Sequence, residues 1–188
     1  MLSQLAENGM TPLPQGFVAT TMPKLNRLLL QSQDEELLKS ATSAVKFMLQ
    51  HDPDQMFSWR SEDDGKGGLE VILIIIDRLL SPGVDDNAAA EVGGLAAELV
   101  EKAGSEQLGP YLTQLLGAVA VRLSTAQQAQ LIQSLILVFA RLSLISALEV
   151  IDFLAQLRIG QEDGLRVVVT KWLENSVNFA GYDEIRQK

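Results

Sequence analysis

One stretch, "GGLEVILIIIDRLLSPGVDD" from Gly67 to Asp86, restricts the possible folds more than any other part of the chain. Its centre, Val71 to Ile76, is an unbroken run of branched aliphatic side chains. Such a run suits a buried strand, a membrane segment or a buried helix. A membrane span needs about 18 or more apolar residues, whereas this run ends at Leu80 and is interrupted by Glu70, Asp77 and Arg78. A strand from Leu69 to Leu80 would be long against a usual length of about five or six residues. The charges decide the matter. Glu70 and Asp77 lie seven residues apart and share one helical face, while Leu69, Ile72, Ile76 and Leu79 recur at helical spacing. Gly67-Gly68 before the run and Ser81-Pro82-Gly83 after it punctuate a helix. The expectation is a helix buried on nearly every side, with one narrow polar edge. Only other helices could cover it.

Helical segments recur in pairs along the chain. The pattern predicts Phe17–Gln31 with Asp34–Gln50, Leu69–Leu80 with Asp86–Ala103, Pro110–Leu123 with Thr125–Leu142, and Ser146–Leu157 with Glu162–Asn178. With an insertion near 52–66 removed, the period is close to 40 residues, in the range of HEAT and armadillo repeats. Local chemistry marks the boundaries. Pro110 stands at a first helical position, Ser124 and Gln127 have capping-box spacing, and Gly104, Gly160 and Gly181 stand where helices would end. Pro23 either kinks or starts the first helix. The expected architecture is all-α: a single array over 1–188, a right-handed superhelix of about four antiparallel helix pairs that bury a continuous core between neighbours. Residues 52–68, "DPDQMFSWRSEDDGKGG", read as one acidic inter-helix loop whose aromatics Phe57 and Trp59 pack back on the scaffold or meet a partner.

Charge is unevenly placed. The chain carries −9 overall; residues 51–106 alone hold thirteen acids and four bases, while 107–148 hold two arginines and no acid. Such an acidic block suits a basic partner and argues against a nucleic-acid backbone as ligand. Its candidate contacts are Glu62, Asp63 and Asp64 in the loop and Glu91, Glu98 and Glu101, read as an outward stripe of the helix Asp86–Ala103 together with Asn87 and Gly94. On the helix Asp34–Gln50 the same reading puts Leu37, Leu38, Ala41, Ala44, Val45 and Met48 inside and Thr42 and Lys46 outside. Trp172 and Phe179 read as core because Val168, Trp172 and Val177 keep helical spacing.

Catalytic and metal chemistry find little support. There is one histidine, His51, at a helix end, and no cysteine, so no triad and no zinc site can be assembled. Lys66 in "GKGG" is followed by glycine rather than Ser or Thr, so it is not a P-loop. The acids of 52–64 do not have EF-hand spacing. No cofactor, enzyme activity or membrane association is expected.

Three stretches, "VEKAGSEQLGPYLTQLLGAV" at 100–119, "LIQSLILVFARL" at 131–142 and "VVVTKWLENSVNFAGY" at 167–182, carry a resemblance. In the last, Trp172 is followed by Phe179 and Gly181. Together with "SQDEELLKSATSAVKFMLQHDPDQMFSW" at 32–59 they resemble the later part of importin-β (karyopherin) family proteins over roughly 32–182, whereas 145–164 differs in detail and 1–16 carries no recognisable part of the resemblance. The resemblance implies a fragment of a long HEAT solenoid that carries basic cargo into the nucleus: core histones, ribosomal proteins and the TATA-binding protein. It further implies passage along nucleoporins, shuttling between cytoplasm and nucleus, and Ran GTPase bound by N-terminal repeats outside this fragment. An acidic insertion serving cargo would lie beyond residue 188. A rival reading, from the repeats alone, is a HEAT scaffold of the phosphatase- or kinase-regulatory kind that mediates protein–protein interaction without transport.

Overall fold

The computed structural model describes residues 12–176. Within them the chain is an all-α array. The helices are α1 (Phe17–Gln31), α2 (Glu35–His51), α3 (Pro53–Ser58), α4 (Gly68–Leu80), α5 (Val92–Leu108), α6 (Tyr111–Thr125), α7 (Ala129–Gln156) and α8 (Gly164–Glu174). One two-stranded hairpin, β1 (Arg158–Ile159) with β2 (Glu162–Asp163), joins α7 to α8.

The first three pairs are α1/α2, α4/α5 and α6/α7, and they stack in two layers. First helices meet first helices (α1 on α4, α4 on α6), and second helices meet second helices (α2 on α5, α5 on α7). The most extensive packing in the molecule is α5 against α7. A fourth pair forms where α7 breaks at Ser146, whose backbone leaves helical geometry, so that its last turns run antiparallel to α8.

The helix α4 is the hub. Val71, Ile72, Ile75, Ile76, Leu79 and Leu80 are buried, while Glu70 and Asp77 remain exposed, which is the single polar edge read from their spacing. Gly67 caps it, and Gly68 is required for close approach: a Cβ there would stand 1.8 Å from the carbonyl oxygen of Met56. Pro23 lies inside α1, which continues through it from Phe17 to Gln31.

Several boundaries differ from the periodic reading. The 52–68 segment is not one loop. Asp52 caps the short helix α3 by accepting from Gln55 N, Met56 and Trp59 are buried, and Phe57 packs against the core. Residues 81–91 are turns, so α5 starts at Val92 rather than Asp86. Ser124 is the penultimate residue of α6, not a cap; the α7 N-cap is Gln128, whose side chain accepts from Gln130 N and Leu131 N. Gly104 sits at φ +66° and breaks α5 without ending it. On α2, Leu37 is half exposed and Thr42 is buried, its hydroxyl donating to Leu38 O at 2.7 Å. Trp172, read as core, is 47% exposed. Val177, Phe179 and Gly181 lie outside the described residues.

Among the described residues, α7 is the one helix long and apolar enough to cross a membrane by length and composition. Leu131, Ile132, Leu135, Ile136, Val138 and Phe139 are instead packed into the core, and Ser146 interrupts the helix. Around the break, Leu144, Ile145 and Leu148 are largely exposed, as are Trp172 and Leu173 in part. An uncovered apolar end face is what stacked repeats leave where no polar capping repeat covers them.

Candidate interaction surface

The six candidate contacts fall into two places with different chemistry. Glu62, Asp63 and Asp64 lie exposed on the turn between α3 and α4, which is closed by a bridge between Arg60 and Gly67. Asp64 is not idle: its carboxylate accepts from the Lys66 ammonium, from Ser61 and from the Lys66 backbone N–H, which lowers its pKa to about 2. The group is fully exposed, so solvent screens the pair and it adds little to stability. Glu62 and Asp63 form no salt bridge among the described residues.

The second set is not an outward stripe. Glu98 is buried at 5% exposure, against the expectation that it faces solvent. The reason is the two-layer stacking: α5 is flanked by α2 on one side and α7 on the other, so its polar edge meets polar edges. Arg141 of α7 donates to Glu98 Oε1 at 2.6 Å and to Glu101 Oε2 at 3.2 Å, and Gln50 of α2 donates to Glu98 Oε1 at 2.9 Å. At Glu91, the residue immediately before α5, the pattern repeats. Lys46 of α2 pairs with Glu91 Oε2 at 2.8 Å, and Gln130 of α7 donates to Glu91 Oε1 at 3.0 Å. Lys39 reaches Gln130 directly at 3.2 Å. Gly94, also read as outward, is buried against the Lys46 side chain. These contacts form a polar ladder across three successive second helices. Of the three acids only Glu101 is about half exposed, and it too is engaged.

Another acid supports the next connection. Asp86, expected at the start of α5, instead accepts from the backbone N–H groups of Gln127 at 2.7 Å and Gln128 at 3.0 Å, ahead of α7. Buried Arg122 holds the other carboxylate oxygen at 2.8 Å and also bonds Val84 O. Sequence reading missed this role because both partners lie more than thirty residues away. His51 ends α2 with its ring 4.3 Å from that of Phe47. Among the described residues no group of three or more His, Cys, Asp or Glu side chains could hold a metal ion.

Glu98 and Asp86 make stability acid-sensitive. Burial alone would raise both pKa values. For Glu98 the bonds from Arg141 and Gln50 more than offset that, and for Asp86 the two backbone N–H groups and Arg122 do, so both end below their ordinary values. A carboxyl with a depressed native pKa contributes fully above its unfolded pKa and loses that contribution as pH falls through the native one. The urea midpoint is therefore expected to fall between roughly pH 5 and pH 3. In Glu98→Gln the midpoint should start lower at pH 7 and fall less steeply. An identical pH slope in parent and variant would show that Glu98 is not linked to folding.

No protein-family model matches the chain. Known proteins are similar along nearly all of it. The chain is 32% identical over 188 residues to importin subunit beta-5 of Schizosaccharomyces pombe, spanning 98% of this chain and 18% of that protein. It is 29% identical over 175 residues to importin subunit beta-5 of Saccharomyces cerevisiae, spanning 93% of this chain and 16% of that one. Importin-9 of Drosophila melanogaster is 26% identical over 172 residues, or 90% of this chain and 16% of the fly protein. The chain thus spans less than a fifth of the length of these relatives.

Proposed function

We propose, for a chain that belongs to the importin-9 branch of the importin-β family, that it forms part of a nuclear import receptor and helps hold a basic protein cargo. The observation carrying this reading is where negative charge remains once internal pairs are set aside. Glu91, Glu98, Glu101, Asp86 and Asp64 all have cationic partners within the chain. Glu62 and Asp63 on the α3–α4 turn, and Glu70 and Asp77 on the exposed edge of α4, form no salt bridge among the described residues and face solvent. Their field attracts a cationic partner and speeds its association. In this reading the cargo is a basic protein such as a core histone, a ribosomal protein or the TATA-binding protein. Ran, bound by repeats outside the chain, governs release, and the receptor moves between cytoplasm and nucleus along nucleoporins.

Capture of core histones by the chain tests it. The parent should bind at low salt and lose binding as salt rises, because exposed charges are screened over about 8–10 Å. Glu62→Lys/Asp63→Lys should weaken low-salt capture with stability changed by no more than about 0.5 kcal/mol. Reversing Glu98 is the wrong test, since a lysine there would be buried beside Arg141. Absence of any salt-sensitive capture would favour the scaffold reading, in which the repeats only set spacing.

A further inference from the structure

An open groove of about 310 Å³ runs between the outer edges of α4 and α6. Leu73, Ile74, Leu115 and Ala118 line its apolar part. Glu70 and Asp77 stand on its α4 side, and no basic residue lines it. Tyr111, 52% exposed, stands on the α6 side. Both helices are held rigidly from behind: Ile72, Ile75, Ile76 and Val119 are buried beneath them. The groove is therefore a formed feature of two packed helices.

We propose that this groove is a docking site for a basic amphipathic helix: one large apolar side chain enters between α4 and α6, and two flanking cations pair with Glu70 and Asp77. The spacing defines the ligand. Glu70 and Asp77 are two helical turns apart, about 10 Å along α4. A ligand helix lying along the groove presents groups at that separation when its cations are seven residues apart. Its apolar anchor then falls three or four residues from each, on the same face. Anchor burial provides affinity, and the two acids provide register and orientation. Tyr111, half exposed on the α6 rim, provides an aromatic ring against which a cation can pack. An acidic segment would be repelled by Glu70 and Asp77 along the α4 side of the apolar floor. The proposal rests on the reading of the chain as a binder of basic proteins, and names the shape and chemistry of one such contact.

The probe is a fluorescently labelled helical peptide, roughly four turns long, with lysines seven apart flanking one leucine. Its binding to the whole chain is followed by anisotropy at low and high salt. Glu70→Lys/Asp77→Lys and the groove-filling Ala118→Phe should each weaken binding about tenfold or more, as should replacing the peptide leucine by serine. Reversing two exposed acids elsewhere, Glu149→Lys/Asp152→Lys, changes net charge equally and should have an effect below about threefold. Circular dichroism on every variant checks that the fold is retained. Parent-level binding in the groove variants, or equal damage from the remote reversal, would overturn the proposal. If groove variants lose self-association measured by sedimentation but keep peptide binding, the occupant is a second copy and the proposal fails. Histone capture that survives in the groove variants alongside lost peptide binding still supports the groove and places the histone contact elsewhere. Loss of histone capture in the parent itself is the distinct result that removes the wider reading.

Discussion

Replacing Ile75 with aspartate should unfold the second helix pair, and with it the cooperative core of the array. Ile75 is fully buried at the middle of α4, which packs on α1, α5 and α6. Losing the aliphatic side chain forfeits about 2–3 kcal/mol of burial. The carboxyl must then either stay charged without a partner or take up a proton. Raising its pKa from the ordinary range to above neutrality costs about 4 kcal/mol at 1.36 kcal/mol per unit. The sum, about 6 kcal/mol, rivals the whole stability of a typical domain. Thermal and urea unfolding followed by circular dichroism should show a lost or grossly lowered transition. Asp77→Asn, on the exposed edge of the same helix, should move stability by about 0.5 kcal/mol or less. An unchanged melt in Ile75→Asp would show that α4 is not enclosed.

Gly93 and Gly94 should respond to alanine in opposite ways although they are neighbours in one helix. At Gly93 the backbones of α5 and α7 meet: a Cβ would lie 2.0 Å from the carbonyl oxygen of Ser134 and 2.5 Å from Leu135 N. No rotamer change relieves a backbone clash, so the two helices would have to separate along the most extensive interface in the molecule. Gly93→Ala should cost about 3 kcal/mol even after the helix-propensity gain of about 1 kcal/mol. At Gly94 the nearest atoms belong to the flexible Lys46 side chain, at 3.3 Å. Gly94→Ala should then be within about 0.5 kcal/mol of the parent. Equal effects at the two positions in urea titrations would contradict the close α5–α7 crossing.

How much of this was legible beforehand depends on how local the cause is. Helix α4 was readable because its punctuation, its apolar period and its polar edge all lie within twenty residues. The Ser146 break and the Gly67 cap were equally local. The turns of 81–91 were not: Ala88, Ala89 and Ala90 favour a helix, and Asp86 resembles an N-cap. What overrides them is a tertiary demand, since the Asp86 carboxylate is used by Gln127, Gln128 and Arg122. Trp172 kept the spacing of a core residue, but the described part of the chain provides no surface to cover it. Gly93 carried its own signal: a glycine inside a helical pattern costs about 1 kcal/mol against alanine, and here close approach of the α7 backbone is what requires it.

The charge blocks teach the same lesson about the candidate contacts. Counted along the chain, the acidic block 51–106 and the acid-free block 107–148 look independent. In space both arginines of the second block, Arg122 and Arg141, pair with acids of the first. A local charge count therefore overstates the negative surface offered to a partner. It is right for Glu62 and Asp63, which lie on a turn, and wrong for Glu98, which lies between two neighbouring helices.

The acids of α5 fasten successive helix pairs together, Glu98 and Glu101 through Arg141 of α7 and Glu98 through Gln50 of α2. A double-mutant cycle on Glu98 and Arg141, read by urea unfolding, tests this most directly. Glu98→Gln and Arg141→Met should each cost about 1.5–3 kcal/mol, as expected for hydrogen bonds to charged groups. The double variant should cost clearly less than their sum, with a coupling of about 1–2 kcal/mol. Two costs that add to within about 0.5 kcal/mol would mean that the pair does not join α5 to α7. Glu98 would then have to be returned to the solvent-facing stripe from which its sequence position first suggested a role.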